Sequence, residues 1–142
     1  ALIEEATRWG KRTGITVSTS DAASQPQLPC STEAMWQLQR ILGEILTNVE
    51  KHARATSVNI IFHYDSTNLN LEVDDNGIGL NGDLDDFHRS GHYGIVGLKE
   101  RVESLDGSMS IDSPAETTGG THVHLHVPLD SLSTHTNKEK RT

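Results

Sequence analysis

The stretch GEILTNVEKHARA carries a carboxylate, an amide and two nitrogen bases at helical spacing: Glu44, Asn48, Lys51 and His52. Steps of four residues from Glu44 to Asn48, then three or four to Lys51 or His52, set these groups along one face of an α-helix. An amide oxygen is a hard ligand of the kind Mg2+ accepts, and an ammonium meets phosphate as a compact charge. The set therefore suits a metal-bound nucleotide. On a solvent face, the same residues would make only Glu–Asn and Asn–Lys contacts.

A second cluster lies in DDNGIGL, where Asp75 closes an alternating run and Gly77 and Gly79 bracket Ile78. An Asn-Gly pair ordinarily turns a hairpin, yet no alternating partner follows. Glycines here leave room for a ligand to approach the backbone, and a carboxylate beside such a gap can accept a hydrogen bond from an amino group such as that of adenine. A calcium loop is the other reading, because EVDDNGIGLNGD nearly fits the twelve-residue spacing. Against it, Glu72 stands where Asp belongs and Asp83 where Glu belongs.

Gly91, Gly94 and Gly97 recur every third residue in SGHYGIVGL, at the expected start of a helix. This is neither GxGxxG nor a P-loop, but a helix N-terminus behind flexible glycines can hold phosphate through its free N–H groups and dipole. Gly97 inside the helix costs about 1 kcal/mol relative to Ala, which close packing or close ligand approach would explain. In GGTHVHLHVPL, His122, His124 and His126 share one face of a strand and read as its solvent side rather than a metal site. Cys30 sits in a polar loop without a base, so no Ser-His-Asp or Cys-His nucleophile is present in the pattern.

The elements that must position these residues follow from periodicity. A helix is predicted near the start, with Leu2, Ile3, Ala6 and Trp9 inward, then a strand in GITVSTS and a loop in DAASQPQLPCS. Ser31 or Thr32 caps a long helix over 33–54, whose stripe is Leu38, Ile41, Leu42, Ile45, Val49 and Ala53. Strands follow at 57–64 and 69–74, a helix at 94–105 with Ile95, Leu98, Val102 and Leu105 inward, and strands at 107–113 and 121–129. Hairpin-paired strands beside amphipathic helices predict an α+β fold: a two-layer α/β sandwich, helices on one face of a mixed sheet. The domain is expected to span 1–130, with 131–142 a polar C-terminal tail.

A chain of 142 residues buries one real core. Its net charge of −8 disfavours nucleic acid and anionic lipid as partners. No apolar run approaches the ~18 residues that cross a bilayer, no signal peptide is visible, and one cysteine suits a reducing, cytoplasmic setting.

Taken in order, EILTNVEKHA, DDNGIGL, GHYGIVGLKERV and GGTHVHLHVPL resemble the asparagine box, two glycine boxes and closing strand of sensor histidine kinases. More narrowly the chain is similar to the nitrate/nitrite-sensor and DesK-like subgroup, over roughly residues 30–129. That resemblance implies the ATP-binding fold shared with gyrase and the Hsp90 chaperone, with ATP and Mg2+ as cofactors. It implies that Asn48 ligates Mg2+, that Lys51 and His52 lie near the phosphates, and that Asp75 takes the adenine amino hydrogen bond while Gly77 and Gly79 admit the base. Gly91, His92, Tyr93, Gly94, Ile95, Gly97 and Leu98 would form the lid hinge and phosphate cradle, and Thr121 would support the adenine side. Glu44 matches the family's acidic catalytic residue, acting as base or orienting metal and water.

Some features depart from the pattern. Val49-Glu50 stands where Ala-Leu is frequent, and none of the eight histidines has the setting of a phospho-acceptor. The expectation is therefore a catalytic fragment of a protein histidine kinase. Its partners would be the parent's dimerisation and phospho-acceptor helical domain and a downstream response regulator. The domain itself would touch neither membrane nor nucleic acid. An anti-sigma-type serine protein kinase with the same fold is the alternative.

Overall fold

The computed structural model describes residues 2–20, 30–77, 94–112 and 120–133. Helix α1 (Leu2–Thr13) buries Leu2, Ala6, Trp9 and Gly10, a stripe three to four residues apart, against the helix that follows in sequence. It stops at Gly14, whose φ of +81° lets its N–H reach the Gly10 carbonyl at 2.9 Å, the left-handed glycine stop of many helices. The chain then enters strand β1 (Thr16–Ser20).

Helix α2 (Thr32–Asn48) begins where Ser31 Oγ accepts the Ala34 N–H, as the sequence predicts. It buries Ala34, Leu38, Ile41, Leu42, Ile45 and Leu46. The α-helix does not run on to 54. From Val49 to Ala53 the backbone widens into a π-helical turn, which closes at Arg54 with φ +52°. Such turns are uncommon and concentrate at functional sites.

Strands β2 (Ser57–Tyr64) and β3 (Asn68–Asp75) form the expected hairpin. Asp65 Oδ1 holds their turn, accepting the N–H groups of Thr67 and Asn68, each at 2.8 Å. Helix α3 (Gly94–Ser104), strand β4 (Ser108–Asp112), strand β5 (His122–Pro128) and a short helix α4 (Asp130–Ser133) complete the described residues.

The five strands run in the order β1-β2-β3-β5-β4. β1 is parallel to β2, and the other neighbours are antiparallel. One face carries Val58, Ile60 and Phe62, Leu69, Leu71 and Val73, and Val123, Leu125 and Val127. Leu98, Val102 and Leu105 of α3 and the α2 stripe join the same core. Each such side chain is worth about 1.5–3 kcal/mol on burial, against ~1 kcal/mol or less for an exposed ion pair, so apolar packing is what holds the helices on the sheet. The result is the α+β two-layer sandwich the pattern predicts.

Two further details bear on the sequence reading. Leu132 on α4 is completely buried and its carbonyl accepts the Ser31 N–H at 2.7 Å, so α4 packs onto the body of the domain. Glu72 lies within β3, paired with Ile61 on one side and His124 on the other, so residues 72–75 are strand and not a calcium loop. Among the described residues, no helix is long and apolar enough to cross a membrane.

Candidate nucleotide site

Insertion of β5 between β3 and β4 brings the end of β3 beside the start of β5, two segments far apart in the chain. Asp75 is the last residue of β3. Its backbone N–H donates to the Thr121 carbonyl at 3.0 Å, and its Oδ1 accepts two N–H groups, from Gly77 at 2.8 Å and Thr121 at 3.2 Å. The carboxylate is thus held by one N–H from each of two segments, and Gly77 is buried. Burial pushes the Asp75 carboxyl above its ordinary value; the Gly77 and Thr121 N–H groups oppose that rise, and neighbouring Asp74 adds to it.

Gly120 and Asn76 belong to the same construction, and sequence reasoning passed over both. Gly120 has φ +96°, and a Cβ there would lie 2.0 Å from the Asp75 carbonyl oxygen. Only glycine permits this approach, and the paired glycines of GGTHVHLHVPL were the available signal. Asn76 has a defined structural role. Its Oδ1 accepts the N–H groups of Thr56 (2.9 Å) and Ser57 (3.0 Å), while Nδ2 donates to Thr56 Oγ1 at 2.9 Å. Asn76 therefore ties the end of β3 to the start of β2.

On α2, Glu44 and Asn48 lie one turn apart and both are half-buried. Asn48 makes no capping hydrogen bond to the π-helical turn after it. Lys51 is exposed within that turn, and His52 belongs to it, though its side chain lies outside the described residues. The wider turn alters the spacing assumed for a continuous α-helix, so Lys51 and His52 do not follow Asn48 at regular helical steps. Glu50 in the turn is tied to Arg12 at the end of α1 through two hydrogen bonds of 3.1 and 3.2 Å. Arg12's hydrogen bond holds the Glu50 carboxyl below its ordinary value.

Glu44 is paired with Arg101 of α3, a partner that no periodicity announces. Arg101 also donates to the Gly97 carbonyl at 3.4 Å. Gly94 is the first residue of α3, and Leu98 is buried in the core rather than lining an open surface. At Gly97 a Cβ would meet only the Arg101 guanidinium, at 3.5 and 4.0 Å, so close packing by the described residues does not demand glycine there. Gly79, Gly91, His92 and Tyr93, and the side chain of Ile95, lie outside the described residues.

The three histidines sit on the sheet face opposite the helices, half-exposed as expected. His122 meets Asp74, and Glu72 at 3.4 Å; His124 and His126 each contact Asn70 Oδ1 at 3.2 Å. Among the described residues no group of three ligating side chains converges to hold a metal.

Residues 36–131 match the family model described as histidine kinase-, DNA gyrase B-, and HSP90-like ATPase. The chain belongs to this ATPase family. Within it, the relatives are sensor kinases. The sensor histidine kinase YdfH of Bacillus subtilis is 38% identical over 90 residues, covering 63% of this chain and 21% of that protein. The nitrate/nitrite sensor protein NarX of Escherichia coli is 34% identical over 98 residues, 69% of this chain and 15% of that one. The histidine kinase/phosphatase DegS of Brevibacillus brevis is 29% identical over 119 residues, 84% and 29% of the two chains. The chain thus spans less than a third of each of these relatives. The mycobacterial sensor histidine kinase MprB superposes with a TM-score of 0.60 at 18% identity, over 89% of this chain and 92% of that one, a likeness of fold.

Proposed function

We propose that this domain holds Mg2+-ATP and presents the γ-phosphate to a histidine on a separate dimerisation helix of its parent kinase. The phosphoryl group then passes to a response regulator. The observation that carries the reading is Asp75. Its carboxylate is oriented by the Gly77 and Thr121 N–H groups at a strand end, and among the described residues it is paired with no cation. Such a group discriminates an amino donor from a carbonyl, which is what recognition of adenine requires.

The phosphate end fits the same ligand. Asn48 offers an amide oxygen one turn from Glu44, whose Oε2 is buried without a hydrogen-bond partner among the described residues. Hard oxygen donors of this kind suit Mg2+, with Asn48 as the ligand; bound there, the ion would neutralise phosphate charge. Lys51, exposed in the π-helical turn that follows Asn48, supplies a cation on this reading. The eleven-residue helix α3 begins at Gly94, and its free N–H groups favour phosphate in a chain of net charge −8. Gly79, Gly91, His92, Tyr93 and Ile95 complete the base and lid contacts on this reading, and Thr121 supports the adenine side.

Catalysis is then positioning: the histidine ring nitrogen forms a bond to Pγ as the bond to the β–γ bridging oxygen breaks and ADP leaves. The domain works at the cytoplasmic side, where ATP and response regulators reside, and touches neither membrane nor nucleic acid. Residues 1–130 with α4 make up the catalytic unit. The test supplies a helical histidine domain in trans with labelled Mg2+-ATP. An acid-labile, alkali-stable phosphoryl group on that domain supports the proposal. An acid-stable phosphoserine, as an anti-sigma-type kinase would leave, contradicts it.

A further inference from the structure

Arg101 links the two helices that flank the proposed phosphate end. From α3 its guanidinium reaches across to Glu44 on α2 and, with Nη1, back to the Gly97 carbonyl in the first turn of its own helix. Arg40, one turn before Glu44, approaches the same carboxylate oxygen at 3.8 Å. Both members of the central pair are only about a quarter exposed, 26% for Arg101 and 27% for Glu44. Each keeps one buried atom without a hydrogen bond among the described residues, Arg101 Nε and Glu44 Oε2. Glu44 stands one turn before Asn48, and Gly97 one turn before Arg101. The clamp therefore spans from the asparagine-box helix to the first turn of the helix opened by the second glycine box.

We propose that Arg101 is a positioning residue for the nucleotide phosphates. By gripping Glu44 it fixes α3 against α2, so that Asn48 and the N-terminal turn of α3 address one triphosphate. Apolar packing of Leu98, Val102 and Leu105 seats α3 on the core, but the hydrophobic driving force is non-directional and does not by itself orient polar groups at the helix end. A guanidinium does, because its planar fork engages a carboxylate and a carbonyl at once; a lysine ammonium acts as a single point. Glu44 is then the other half of the clamp rather than a proton acceptor. The inference rests on the ATP reading of this site.

Calorimetric titration with Mg2+-ATP and NMR titration with adenosine, which lacks phosphates, test it on wild type, Arg101→Ala, Arg101→Lys, Glu44→Gln and the double variant Arg101→Ala/Glu44→Gln. Arg101→Ala is expected to weaken ATP about tenfold, equivalent to 1.4 kcal/mol of lost positioning, while adenosine affinity stays at the wild-type value. Lysine does not rescue, and the double variant is no weaker than Arg101→Ala. Unchanged ATP affinity with only a lowered melting temperature overturns the proposal. So do equal losses for ATP and adenosine, or losses that add in the double variant. A wild type that binds neither compound refutes the nucleotide reading itself, and the positioning role with it.

Discussion

Gly120→Ala puts the close approach of β3 and β5 under direct strain. The added Cβ would sit 2.0 Å from the Asp75 carbonyl oxygen and 3.0 Å from its carbonyl carbon, both backbone atoms that no rotamer change can move. Relief requires the strands to separate by more than an ångström at the point where the Asp75 and Thr121 backbones bond at 3.0 Å. Overpacking of this kind costs about 1–3 kcal/mol, and a strained φ near +96° adds about 1–3 kcal/mol. Loss of the Asp75–Thr121 contacts adds roughly 1 kcal/mol per hydrogen bond. A total of about 4–8 kcal/mol lowers the melting temperature by more than roughly 10 °C in a domain of this size. Thermal unfolding followed by circular dichroism, with Mg2+-ATP titration on the folded fraction, reads both effects. The variant should also bind ATP poorly, because Asp75 is displaced. If Gly120→Ala melts within about 2 °C of wild type, the close approach and the tether built on it are wrong.

The other expectations concern the same end of the sheet. Asn76→Ala removes three hydrogen bonds to Thr56 and Ser57 and should destabilise by about 1–3 kcal/mol. Asn76→Asp keeps the acceptor for both N–H groups and should be milder, which urea unfolding will rank. Asp75 carries a raised folded value, first through burial. Between the unfolded and folded values the native state holds more proton, so wild type gains stability relative to Asp75→Asn as pH falls through the raised value towards the ordinary aspartate range. Paired melts of the two proteins at neutral and mildly acidic pH check the sign; a wild type that loses ground on acidification contradicts the burial argument. ATP affinity should fall over the same window, since protonation removes the charge of the acceptor and turns one of its oxygens into a donor.

Periodicity was a good guide wherever one face of an element is apolar. The stripe from Leu38 to Ile45, the alternation of Val58, Ile60 and Phe62, and that of Val123, Leu125 and Val127 each fixed an element and its inward side. The π-helical turn at Val49–Ala53 was not legible, because VEKHA is ordinary helical sequence and its altered hydrogen bonding leaves no periodic trace over five residues. Leu132 was missed because one apolar residue in a polar run has no period at all. Asp75, Gly77 and Thr121 were read as one site from separate motifs, and the β3–β5 pairing is the long-range contact that joins them. Arg101 escaped because its partner lies 57 residues away, beyond any local pattern.

Isothermal titration of Mg2+-ATP into wild type and Asp75→Asn is the most direct measurement of the central claim. Asparagine keeps an oxygen for the Gly77 and Thr121 N–H groups, so the fold is retained while the charged acceptor for the adenine amino group is lost. A hydrogen bond to a charged group is worth about 1.5–3 kcal/mol, so affinity should drop roughly 10- to 150-fold at an unchanged melting temperature. Equal ATP affinity in the two folded proteins would contradict the assignment of Asp75 to the adenine ring.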